Sequence, residues 1–138
     1  MVRAIEIQER ILSILEEFHH ENVFAMLNTV LKPSGTVEEV DRFALALQSL
    51  VRDGLVTLFM WGGDPADPRE MSSADADAQL RRIHDWFRFD TATVRWTLKM
   101  GDIKKSRIPA IRVTPKGTEE AIKVLERRGY RWWTGGRG

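Results

Sequence analysis

Apolar residues recur at helical spacing in five stretches of the chain and at strand spacing in one. Ile7, Ile11, Ile14, Leu15 and Phe18 make one face of a helix over Ala4 to Phe18, with most of its glutamates off that face. Asn22 can cap a second helix from Val23 to Leu31, which Lys32-Pro33-Ser34-Gly35 ends. Thr36-Val37-Glu38-Glu39 matches a capping box, and Val40, Phe43, Ala44, Leu47, Leu50 and Val51 carry a third helix over about 37–53 to Gly54. Leu55 to Met60 reads as a buried strand. Trp61 to Ser73, with Gly62, Gly63, Asp64, Pro65, Asp67 and Pro68, reads as a loop. Ala76, Leu80, Ile83 and Phe87 predict a fourth helix near 74–88. Ala92 to Lys99 alternates, with Val94, Trp96 and Leu98 on one side, and predicts a half-exposed strand. A basic turn over Met100 to Arg107 leads to its expected partner, Ile108 to Val113. Thr114-Pro115 starts a last helix with Ala121, Ile122 and Leu125 on one face, stopped at Gly129. A tail over about 134–138 is rich in glycine and expected to be flexible.

The chain has 138 residues, 43% of them hydrophobic and none of them cysteine. That length suits one domain with a core of its own. The lack of cysteine excludes disulfides, thiolate metal sites and thiol catalysis. No apolar run is long enough for a membrane span, and the amphipathic N-terminus reads as a helix rather than a leader, so a cytoplasmic protein is expected. The net charge of +1 is unevenly spread. Residues 1–80 hold 6 basic and 14 acidic side chains, net −8, and residues 81–138 hold 15 and 6, net +9. The basic half suits a polyanion, unless the two halves neutralise each other in the fold or across a dimer.

The order of elements is three helices, a strand, an inserted helix, two strands around a basic turn, and a final helix. Leu47-Gln48-Ser49-Leu50-Val51-Arg52-Asp53-Gly54-Leu55-Val56 resembles the end of the third helix and the first sheet strand of bacterial winged helix-turn-helix regulators of the MarR and PadR groups. Ile111-Arg112-Val113-Thr114-Pro115-Lys116-Gly117 is similar to the strand-to-helix junction after their wing. The resemblance implies an α+β fold with a three-helix head, a small antiparallel sheet forming a wing, an insert at about 61–90 and a C-terminal helix, all in one domain over 1–138. It also implies a homodimeric transcriptional regulator that binds double-stranded DNA. Its third helix would enter the major groove, and a wing with its tip at 99–107 would lie on the backbone.

Carried onto this chain, the DNA contacts are Lys32, Ser34, Thr36, Arg42 and Gln48 around the third helix, and Lys99, Lys104, Lys105 and Arg107 on the wing. Against this, Glu38, Glu39 and Asp41 make the helix entrance acidic, and Leu45 faces away from the core stripe. The alternative reading is a winged-helix module that binds protein and not DNA. Terminal helices, one acidic and one basic, could also meet across a two-fold. A ligand pocket lined by Trp61, Trp86, Phe87 and Trp96 is a third reading. His19, His20 and His84 lack metal-ligand spacing, and no P-loop, nucleophile elbow or distinguished carboxylate pair occurs. No metal, cofactor or catalytic residue is therefore expected, and the chain is not read as an enzyme.

Overall fold

A computed structural model describes residues 2–61, 68–99 and 108–135. It is an α+β molecule built from α1 (Ala4–Phe18), β1 (His20–Asn22), α2 (Val23–Val30), α3 (Val37–Arg52), β2 (Val56–Trp61), β3 (Pro68–Glu70), α4 (Ser73–Leu80), a 3-10 turn (Ile83–Asp85), β4 (Phe87–Asp90), β5 (Arg95–Leu98), β6 (Ala110–Val113), α5 (Pro115–Arg128) and a final turn of helix, α6 (Trp132–Gly135). The expected helices at 4–18, 23–31 and 37–53 are present to within a residue. Their apolar stripes become the core, with Ile7, Ile11, Leu15, Met26, Leu27, Phe43, Leu47 and Leu50 fully buried, except that Phe18 at the end of the first stripe is 55% exposed. Burial of each such side chain contributes on the order of 1.5–3 kcal/mol, which orders helices that would be marginal alone.

Three caps form as the side-chain chemistry dictates, one of them from Asp75 N–H to the Ser72 hydroxyl at 3.1 Å. Ala25 N–H donates to the Asn22 carboxamide at 2.6 Å, and Gly117 N–H donates to the Thr114 hydroxyl at 3.0 Å. The Thr36 capping box does not form: the threonine side chain makes no cap bond, and Glu39 turns elsewhere. Gly117 is needed for a different reason. A Cβ there would lie 1.9 Å from the Leu55 carbonyl oxygen, so only glycine lets α5 approach the start of β2.

The sheet departs from expectation. Its order is β1-β6-β2-β3, with every neighbouring pair antiparallel. The strand at 110–113 lies between β1 and β2, with His20 opposite Arg112 and Phe59 opposite Ala110. It does not pair with the strand after residue 92. That strand pairs with β4 in a separate two-stranded ribbon, Phe89 opposite Trp96. The helix expected at 74–88 stops at Leu80. Phe87 belongs to the ribbon, because Phe87 and Phe89 alternate with Arg88 and bury one face, a strand period that the Ala76–Leu80–Ile83–Phe87 spacing masks. β1 and β3 arise where the pattern showed a link and a loop; three-residue strands carry too few positions for a period. Thr134 and Gly135 belong to α6 rather than to a tail. The wing-tip residues Lys104, Lys105 and Arg107, residues 62–67 of the expected loop and residues 136–138 lie outside the described residues.

The charge asymmetry is largely consumed inside the chain. The side chain of Glu9 on α1, only 9% exposed, accepts from Arg127 at 2.6 Å and Arg128 at 2.8 Å on α5. Gly129, Tyr130 and Arg131 take left-handed φ of 76°, 54° and 42°, which turns the chain back across α1. Arg131 thereby reaches Glu17 at 2.9 Å and the Ser13 carbonyl at 3.0 Å. The acidic and basic helices expected to meet across a two-fold meet within one subunit.

Candidate functional site

α3 is the helix that the resemblance directs to DNA. Its outward stripe consists of Val37, Glu38, Asp41, Leu45 and Arg52, all exposed, with Gln48 half-buried. Val37 is 58% and Leu45 56% exposed, large values for apolar side chains on a helix already packed on its other sides. Within the segment between β2 and β6, α4 and the 3-10 turn pack against α3. Ser73, Ala74, Asp77 and Arg81 of α4 border a groove with Gln48 and Arg52. At the other end His84 lies 2.6 Å from the Asp41 carboxylate. An acidic helix entrance is favourable to the helix dipole and unfavourable beside phosphates.

The ribbon is held by two side chains. The Asn28 carboxamide imitates a strand neighbour: its oxygen accepts from Trp96 N–H and its nitrogen donates to Trp96 C=O, both at 3.0 Å. Glu39 is the second. Its buried carboxylate accepts from Ser34 N–H at 3.0 Å, the Ser34 hydroxyl at 2.9 Å, Gly35 N–H at 2.9 Å and the Trp96 indole at 2.7 Å. Several N–H and O–H donors satisfy a carboxylate that makes no ion pair among the described residues. Trp86, Phe87 and Trp96, expected as possible pocket lining, are buried in the core.

The ribbon's other face is cationic. Arg88, Arg95 and Lys99 are exposed, with Arg88 opposite Thr97 and Asp90 opposite Arg95. The Arg95 guanidinium also lies over the Phe24 ring at 5.9 Å. The ribbon turns through Thr91 to Val94, where the Thr93 hydroxyl and Ala92 N–H donate to Asp90 and hold its carboxyl below the usual value. Val94 has φ 53°, a left-handed conformation that a β-branched residue rarely adopts.

Among the described residues the sequence-derived DNA contacts do not form one face. Lys32, Ser34 and Arg42 line a groove of about 570 Å³ together with Arg10 and Trp133. Thr36 is exposed at the start of α3, and Gln48 lies in the α4 groove. Lys99 follows the ribbon, its N–H donating to the Trp86 carbonyl. Sequence reasoning overlooked Arg88 because it fell in a supposed helix, and Arg95, on the outward side of the expected strand, because the cationic tip was placed at 99–107. It overlooked Arg10 because that residue sits on the polar side of α1, where its guanidinium turns inward to the Val30 carbonyl at 2.8 Å. Burial holds the Arg10 pKa below its usual value. Among the described residues no helix is long and apolar enough to cross a membrane. Comparison with protein-family models, curated proteins and solved structures finds no match to this chain.

Proposed function

We propose that the chain is a winged-helix module whose third helix docks onto a protein partner instead of reading DNA. Two features support the winged-helix reading: a strand between the first two helices, and a sheet in which the last strand lies between that strand and the one after α3. On this reading the long segment between β2 and β6 replaces a simple wing. Fold does not fix function, so the surface of α3 decides. The observation that carries the proposal is the outward stripe of Glu38, Asp41 and Leu45, bordered by the module's own insert through the Asp41–His84 contact. A carboxylate there repels the phosphates lining a groove, and an exposed leucine gains from protein contact. The direct test is binding to random duplex DNA at low salt, which this reading expects to be absent.

A DNA-binding regulator is the second reading, favoured by the cationic ribbon face of Arg88, Arg95 and Lys99, with Lys104, Lys105 and Arg107 following in sequence. It expects Lys104→Ala with Lys105→Ala to weaken binding to every duplex. The salt dependence should also become shallower, by roughly one unit of slope for each phosphate that the variant no longer neutralises. The inner faces of α1 and α5 are occupied within one chain. A cytoplasmic homodimer would therefore form through their outer side, where Ile5 and Ile122 are exposed; light scattering decides it.

A further inference from the structure

We infer that the groove between α1, the α2–α3 turn and α6 binds a small phosphomonoester: a doubly charged oxyanion on an apolar body. The groove, of about 570 Å³, holds three cations, Arg10, Lys32 and Arg42. Among the described residues neither Lys32 nor Arg42 makes an ion pair or side-chain hydrogen bond. Arg42 is half-buried, which makes an unmatched guanidinium costly to leave alone. Two further donors beneath the same wall, Arg10 Nε and the Trp133 indole nitrogen, are buried and have no acceptor. Glu39 is the one carboxylate lining the groove, and Ser34, Gly35 and Trp96 already occupy it. Glu6 engages Arg10 from outside. The site is thus rich in donors and poor in acceptors, which is the complement of an oxyanion. Ile7, Leu31 and the Trp133 ring supply apolar wall for an organic body, so bare phosphate would fill it incompletely. Two unmatched cations at the mouth favour a dianion over a monocarboxylate.

The test is titration calorimetry with phenyl phosphate as probe, with inorganic phosphate and benzyl alcohol as the head-only and body-only arms. Saturable binding of phenyl phosphate with a Kd on the order of 0.1–1 mM is expected, at least about tenfold tighter than either arm. Lys32→Ala with Arg42→Ala should weaken it about tenfold or more at unchanged thermal midpoint, and Arg42→Lys should restore part of the loss. Lys32→Glu alone, at an exposed position, should weaken it in the same direction. Absence of saturation up to about 5 mM, or indifference to both the double variant and Lys32→Glu, overturns the inference. So does displacement of phenyl phosphate by a random duplex, which would make the groove a DNA-backbone contact and would also contradict the protein-docking reading. Simple absence of phenyl phosphate binding leaves that reading untouched.

Discussion

Glu39 carries more of this fold than any other polar side chain. It ties the α2–α3 turn to the ribbon by accepting from two backbone N–H groups, a hydroxyl and an indole. Glu39→Ala leaves the buried Trp96 indole and the half-buried Gly35 N–H without their partner, so a loss of about 1–3 kcal/mol is expected in urea unfolding, with Glu39→Gln in between. Val94 points the other way. Its left-handed φ is strained and its side chain is exposed, so Val94→Asn should raise stability by about 0.5–1 kcal/mol in the same assay. Neither role could be read from the chain alone. Glu39 stands three residues after a threonine, as a capping-box glutamate does, but Trp96 lies 57 positions away and offers a buried donor. The Asn22 and Thr114 caps were legible because their partners sit three residues ahead, within reach of local geometry.

Elements with long periods were readable and short ones were not. α1 and α3 show several turns of apolar spacing, whereas β1 depends on a partner distant in sequence and β3 and β4 are too short for a period to stand out. One carboxamide supplies the hydrogen bonds that attach the ribbon to α2, beside the ring contacts of Phe24. Asn28→Ala should accelerate amide exchange at Trp96 by roughly tenfold or more, while α1 and α3 remain protected. The junction of α1 with α5 depends on pH. Glu9 has its pKa held below the usual 4.5: burial pushes it up, but the bonds from Arg127 and Arg128 outweigh burial. A depressed carboxylate contributes stability above its unfolded pKa and loses it as pH falls through the folded one. Wild-type protein should therefore lose thermal stability as pH drops below about 4.5, and Glu9→Gln should show a shallower fall over that window together with a lower midpoint at pH 7.

For the whole molecule, the question is where the charge goes. The sequence halves differ by a large margin, and that asymmetry suggested a polyanion partner. Much of it is spent on α1–α5 contacts: Arg127, Arg128 and Arg131 meet Glu9, Glu16 and Glu17. This leaves the entrance of α3 acidic and apolar outside, with cations exposed on the ribbon and others lining the groove by Arg42. The α+β class and the three-helix start were legible in the hydrophobic pattern. The allocation of charge was not, because it depends on which helices pack together. The most direct measurement is fluorescence anisotropy of a labelled random duplex titrated with the protein at about 50 mM salt. The account predicts no saturable rise up to about 50 μM protein. A saturable rise at micromolar concentration that weakens steeply with added salt would contradict it and return the chain to the DNA-binding reading.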